Sequence, residues 1–539
     1  MKSVLSGHYL IKWVTFALAA LTCAALSSGA MGARESDDGE EDDGGKIPFT
    51  VPKAVCGPED HPESGLQGQV PASLRATGFR GFSCNLQLVS QNKGEGASWQ
   101  FASFNDRAGH KCAYHDTSSS TTGRTHLGTV ALDVSDPENP VATAYLTTLS
   151  MIDPWESLKS NPRRELLAGD YGLNSTGADG FDVYAIEDCR YPQLLASTNQ
   201  LGIGGANPVP LNGHEGAWAP DGLTYYVGDI TNHSYHAIDV TDPTHPVLIS
   251  TIQAPFWVSG YLGGSHGLSI SDDGKRAYFA SVYFNLTAPG GIVSQTDPAK
   301  DGFSIVDTSE VQERKPNAQM HLISGLLWKD GSAFQHTIPV RIGGKPYIIS
   351  VDELGTAQGS IAAPNAWQTA CQMGLLPFGI ARIADISDEK NPKLVSKVIL
   401  ESNDPANCSK VLPDLVGEAG FTYDTHYCSV DNRDNATTLA CSNFEAGIRV
   451  YDIRHPRRPK EIAYFNPPAV TSVSPGSQHA NTAAVADGKH PDHCSAQIRL
   501  DARAGTLQTS CQDNGFLLLK FREDVWPFED SSTPQGKGN

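Results

Sequence analysis

The sequence predicts an all-β fold, a seven-bladed β-propeller closed by an N-terminal strand. Three observations predict it. The chain of 539 residues carries 52 Gly and 34 Pro. It has abundant short Val, Ile and Tyr runs but few long amphipathic stretches, which points away from helices. It is also too long for one sandwich, so a repeat is expected. A turn phrase built on Asp, Ser or Thr and Pro recurs along the chain, and a two-stranded hairpin pattern precedes each copy.

The clearest copy of the phrase is GTVALDVSDPENPVATAYL (128–146), followed by GFDVYAIEDCRYPQLLAS (180–197) and SYHAIDVTDPTHPVLIS (234–250). GFSIVDTSEVQERKP (302–316), GIARIADISDEKNPKLVS (379–396), GIRVYDIRHPRRPKEIA (447–463) and a truncated GFLLLKF (515–521) complete the series. Alternating apolar residues mark half-buried strands. Asp and Ser or Thr fold back on their own backbone, and Pro pre-sets the turn while ending the strand. The copies recur at roughly 50–80 residues, the interval of a four-stranded blade with insertions. They supply the third and fourth strand of each blade.

The hairpins supply the first two strands. They read SWQFASFNDRAGHKCAYHD (98–116), PWESLKSNPRRELLAGD (154–170), HEGAWAPDGLTYYVGDI (214–230), HGLSISDDGKRAYFASV (266–282), HTIPVRIGGKPYIISVDE (336–353) and HYCSVDNRDNATTLACSN (426–443). The seventh surrounds the loop DARAG, beyond His493. Blades are expected near 97–150, 151–210, 211–260, 261–334, 335–420, 421–475 and 476–523, within a domain spanning 56–526. The last blade lacks an outer strand, and CNLQLVSQ (84–91) lacks a partner. Pairing the two closes the ring and removes an exposed edge.

With these residues in view, the phrase GxxxφDφSDPxxPxφφ resembles the repeat of the LVIVD family of secreted or surface proteins. The resemblance spans most of 84–523. It implies a propeller and an extracytoplasmic location. It implies no reaction and transfers no catalytic residue.

The chain ends and the cysteines agree with export. WVTFALAALTCAALSSGA is too short for a membrane span, and Ser28-Gly29-Ala30 offers a small-residue cleavage site. Residues 1–30 are therefore expected to be a signal peptide, an uncleaved anchor being the alternative. Residues 31–55 hold seven acids between 35 and 45 and are expected to form a disordered leader, with 527–539 a disordered tail. Of 11 Cys one, Cys23, lies in the signal, and no CxxC pair occurs among the rest. This favours disulfides over zinc or redox motifs. Cys428 and Cys441 are symmetric about Asp434-Asn435, a dipeptide suited to a type I′ turn. Cys494 and Cys511 flank DARAG in the corresponding place, offset by about one residue, which a bulge absorbs.

A formal charge of −20 argues against nucleic acid as partner. Stable membrane insertion is not expected, and the missing GxGxxG and Walker loops leave no nucleotide cofactor. The candidate site is a set of histidines. His214, His266 and His336 each stand seven residues before their turn, at Asp221, Asp273 and Gly343, and His426 stands eight before Asp434. The first strand of a blade lines the channel, so these imidazoles should converge at its mouth, with His493 as a fifth member. Imidazoles from separate blades suit a divalent transition metal such as zinc, copper or iron. The competing reading is that each histidine bonds the backbone of the neighbouring blade.

Asp116, Asp170, Asp229, Asp352, Asn443 and Asp513 end the second strands. They either satisfy backbone N–H groups of the next loop or orient the imidazoles. Glu215, Tyr427 and His115 are candidates for proton transfer, with Glu353 nearby. These features predict a metal-dependent enzyme of oxidase, oxygenase or lyase type, acting on a small-molecule or glycan ligand at the channel mouth. A non-catalytic periplasmic or surface module that binds a protein or glycan is the alternative.

Overall fold

Short alternating strands separated by Asp and Pro turns can bury their apolar faces only against a neighbouring copy. The computed structural model of the chain shows that arrangement. It describes residues 34–35, 49–117, 125–170, 180–198, 200–202, 208–258, 262–281, 283–284, 301–328, 330, 332–356, 366–416, 418, 420–470, 474 and 489–528. The expected signal peptide, most of the acidic leader and the tail from residue 529 lie outside the described residues.

Seven sheets with four antiparallel strands each form the blades, and two of them carry a fifth strand, that of blade 4 (Arg34–Glu35) pairing parallel. In blade 3 the strands run Gly213–Trp218, Thr224–Asp229, Ser234–Asp239 and Val247–Gln253, in that order across the sheet. The turn phrase does what its chemistry suggests. The Asp239 carboxylate accepts from Thr241 N at 2.8 Å, and Asp242 accepts from Thr244 N at 3.0 Å. Asp133, Asp307, Asp385 and Asp452 cap the same turn in their own blades.

The core lies between blades. Tyr114 and Leu146 of blade 1 pack with Leu158 and Leu167 of blade 2. Each later interface has its own apolar cluster. Phe101 and Val130 of blade 1 meet Phe516 and Leu518 of blade 7, which completes the ring.

Closure is by the N-terminal segment. Leu86–Asn92 pairs antiparallel with Gly515–Phe521 and forms the outer strand of blade 7. One detail departs from the expected strand 84–91. Phe82–Cys84 instead adds a fifth strand to blade 6. Asn85, at φ 61°, swings the chain from one blade to the next, and asparagine tolerates that left-handed conformation. Its amide donates to the Val55 and Ile462 carbonyls at 2.9 and 2.7 Å.

The leader also ends sooner than its composition suggested. Val51 is buried in the core between blades 5 and 6, and its N–H donates to the Ile399 carbonyl at 2.9 Å. Residues 49–55 are therefore packed rather than disordered, because Val51 offers apolar surface that the acidic run lacks.

Five disulfides are present: Cys56–Cys84, Cys112–Cys189, Cys371–Cys408, Cys428–Cys441 and Cys494–Cys511. Cys428 and Cys441 are directly opposed, as expected. Their hairpin, however, does not close in two residues at Asp434-Asn435. The strands stop at Val430 and resume at Thr438, and Asp431 holds the longer loop by accepting from Thr437 N and Thr438 N, both at 3.0 Å. Five such bonds indicate an oxidising environment. Among the described residues no helix is long and apolar enough to cross a membrane.

Candidate metal centre

One origin places all the hairpins in a common register. In six blades the end of the third strand pairs with the start of the second: Asp133 with Cys112, Ala185 with Leu166, Asp239 with Thr224, Asp307 with Arg276, Asp385 with Tyr347 and Asp452 with Thr438. Followed through the hairpin pairing, Trp99, Glu156, His214, His266, Gln335 and His426 occupy one equivalent position at the start of the first strand. Ala496 takes that position in blade 7. In blades 3 and 5 the register shifts there, between Gly213 and Glu215 and between Phe334 and His336. Such a bulge re-aims a side chain.

The centre of this ring is a buried cluster of imidazoles and carboxylates. His426 Nε2 lies 3.0 Å from Glu156 Oε1 and 3.2 Å from Glu353 Oε2. His214 Nε2 lies 3.3 Å from Glu156 Oε2, and His266 Nε2 lies 3.7 Å from Glu353 Oε1. In two of the three histidines the other ring nitrogen is held by the neighbouring blade. His266 Nδ1 donates to the Gln335 carbonyl at 3.1 Å, and His426 Nδ1 donates to the Ser495 carbonyl at 2.6 Å. In His266 and His426, Nδ1 thus stitches blades together while Nε2 faces the carboxylates.

Electrostatics follow from this packing. Burial pushes the Glu156 carboxyl up, but His214 and His426 outweigh it and hold it well below the usual range. Burial disfavours charge on His426, yet Glu156 and Glu353 raise its pKa to about 10. Burial, with His214 beside it, lowers His266 to about 4. Several buried polar atoms here have no hydrogen-bond partner, among them His214 Nδ1, Gln335 Oε1 and Trp99 Nε1. Unpaired buried groups are costly, and in a native fold each calls for an explanation.

The expected site residues divide. His214, His266 and His426 come together with Glu353. His336 sits one residue beyond the common position, where it stacks on Tyr427 at 4.6 Å and donates from Nε2 to the Cys428 carbonyl at 3.2 Å. Burial, then Lys159, lowers it to about 3. The offset has a cause: blade 5 closes on a two-residue turn, Gly343-Gly344, with φ of 55° and 80°. Its strands therefore run further before turning than those of blade 3, so counting back from the turn reaches the wrong residue. His493 lies 3.9 Å from Glu445 in a separate cluster, with the Phe444 ring touching both it and His426. His115 donates to the Asp116 carbonyl at 3.0 Å, and burial lowers it to about 4; it does not reach the cluster.

Glu215 and Tyr427 do lie beside the centre. Glu215 is 3.7 Å from Lys159 Nζ, and Tyr427 borders it. Burial raises Glu215 to about 8 and depresses Lys159. Gly267 makes room for this layer, since a Cβ there would fall 2.0 Å from Glu215 Oε2 and 2.1 Å from the Gln335 carbonyl. Of the acids that end the second strands, Asp229 and Asp513 serve neighbouring loops, and Asp352 holds side chains of its own and the preceding blade. Asp229 accepts from Asn232 N at 2.9 Å, Asp352 from Trp328 and Arg382 at 3.1 and 2.9 Å, and Asp513 from Ser474 N at 2.7 Å.

Reading hairpins from their turns missed Glu156, Trp99 and Gln335. Glu156 aligns with His214 only through the strand pairing, because blade 2 has Ala185 where the phrase of blade 3 has Asp239, and its hairpin differs in length. An aromatic group packs over the cluster: Trp99 contacts Trp155, Phe421 and Phe444 at 5.8, 5.5 and 5.9 Å, and His426 at 5.0 Å. Trp155, Phe421 and Phe444 all hold positive φ, at 48°, 49° and 39°. Strain of this kind costs about 1–3 kcal/mol per residue and gathers at functional sites. Trp155 Nε1 also donates to His214 Nε2 at 3.2 Å.

No family model matches the chain. No curated protein matches it either. Solved structures resemble it at the level of fold. A candidate 6-phosphogluconolactonase from Bacteroides uniformis aligns with TM-score 0.47 at 12% identity, covering 78% of this chain and 95% of that one. Hydrazine synthase of Kuenenia stuttgartiensis gives 0.44 at 10%, covering 80% and 97%. The Swd1 β-propeller domain of Myceliophteria thermophila gives 0.43 at 10%, covering 81% and 99%.

Proposed function

We propose that the chain is a secreted, metal-dependent β-propeller enzyme, with a divalent transition metal held by His214, His266, His426, Glu156 and Glu353. The observation that carries this reading is spacing. The four nitrogen–oxygen separations at the centre run from 3.0 to 3.7 Å. Ligands about 2.0–2.2 Å from a tetrahedral ion stand about 3.3–3.6 Å apart, and one such ion takes at most four of the five residues. In His266 and His426, anchoring of Nδ1 to a carbonyl fixes the tautomer that leaves Nε2 for a metal.

A bound ion would polarise a substrate oxygen or activate water. Glu215, shifted towards neutral pH and paired with Lys159, supplies proton transfer beside it. The half-buried Trp155 and Phe421 favour a small molecule entering at that mouth. Export rests on the apolar N-terminus together with the disulfides, and the turn phrase supports membership of the LVIVD-repeat proteins. The deciding experiment is elemental analysis of untagged protein, beside His266→Ala and Glu353→Gln. Stoichiometric metal in the wild type and less of it in both variants is the expected result; metal-free wild type after reconstitution with zinc, copper and iron defeats the proposal.

A further inference from the structure

Each central carboxylate turns its two oxygens toward different imidazoles. Glu156 presents Oε2 to His214 at 3.3 Å and Oε1 to His426 at 3.0 Å. Glu353 likewise presents Oε1 to His266 and Oε2 to His426. Donor atoms of Glu156, His214 and His266 lie within 4.8 Å of one another, and so do those of Glu156, Glu353 and His426. Two groups of three therefore share one residue.

We infer that the channel holds two divalent ions bridged by Glu156, one on His214 and His266, the other on His426 and Glu353. This rests on the metal-centre reading above and specifies how many ions that centre takes. Bridged ion pairs stand about 3.5–4 Å apart, a span one carboxylate covers with an oxygen to each ion. A single ion would leave one of the two buried donor groups without a cation, and buried charge left unpaired is costly. The bridging residue is itself positioned. Gln335 Nε2 donates to Glu156 Oε2 at 2.7 Å, and Gln100 Nε2 donates to the Glu156 carbonyl at 2.9 Å. Mixed imidazole and carboxylate donors suit zinc, iron or manganese. Two divalent ions outweigh the charge of the two carboxylates, so the pair would also take a hydroxide derived from water, the usual nucleophile of two-ion hydrolytic sites.

The test is to strip the full chain with chelator, reload it with Co²⁺, remove free ion by gel filtration and count cobalt per chain, with EPR to detect exchange coupling. Two ions per chain with a coupled signal are expected. His214→Ala and His426→Ala should each retain one uncoupled ion, and Glu156→Gln should lose the coupling. One ion per saturated wild-type chain, lost in both alanine variants, overturns the two-ion inference but leaves the metal centre standing. No bound cobalt at all removes both.

Discussion

Two buried clusters of histidine and glutamate lie in this ring, and they balance charge in opposite ways. At the first, Arg75 reaches Glu445 at 2.8 Å and Glu418 at 3.2 Å, so one permanent cation is shared by the two acids that His493 and His490 border. At the second, Glu156 and Glu353 meet only imidazoles within ion-pair distance among the described residues. The first cluster keeps its cation at every pH, since guanidinium cannot lose its charge. The second depends on a proton at His426 or on a cation from outside. The same residue types thus serve structure in one place and a candidate site in the other, and the difference is one arginine.

The largest expected effect breaks the first cluster. Arg75→Ala removes the cation and leaves two buried carboxylates, which should cost about 3–5 kcal/mol in denaturant melts. It also cuts the tie between the helix Ala72–Ala76 and Tyr423, whose hydroxyl accepts from Arg75 Nη2 at 2.7 Å. A loss under about 1 kcal/mol would mean that the arginine is not the counter-charge described here. The second cluster should respond to metal instead. At a thousandfold excess over Kd, a bound ion should stabilise the wild type by about 4 kcal/mol. Glu353→Gln should cut that rise in Tm, whereas Arg75→Ala should keep it in full.

The contrast between the clusters was only partly legible in the sequence. Blade number, turn phrase and closure by the N-terminal strand all follow from local patterns, and local patterns are what sequence displays. His214, His266 and His426 could be found because each begins a recognisable hairpin. Glu156 could not be found that way, because PWESLKSNPRRELLAGD turns differently and places the acid two residues past the point where a histidine was sought. Arg75 carries no motif at all. Its partners at 418 and 445 lie more than 340 residues away, and only the packed ring brings them together.

The comparison sharpens under acid. His115, buried and lowered to about 4, stays neutral in the folded chain, whereas the unfolded imidazole protonates near 6.5. The unfolded state therefore binds the extra proton, and stability falls as pH drops from 6.5 toward 4. The share due to His115 should reach about 2.5 kcal/mol at pH 4.5. His115→Gln should remove that share from the difference between melts at pH 7 and pH 4.5, whatever its effect at pH 7 alone. An unchanged difference would show that this imidazole titrates normally.

The smallest expected effect concerns His493. As the first residue of the seventh hairpin it belongs, by sequence, with the other imidazoles as a fifth ligand. The ring places it three residues before the common inner position, which blade 7 gives to Ala496. The Phe444 ring contacts it at 5.5 Å and His426 at 5.1 Å, and its Nε2 faces Glu445. An aromatic ring between two imidazoles bars them from one ion, since both nitrogens would have to lie about 2 Å from it. His493→Ala should therefore leave the metal content of the protein unchanged while His266→Ala lowers it. Elemental analysis of the two variants side by side reads the difference directly, and loss of metal from His493→Ala would merge the two clusters into one site.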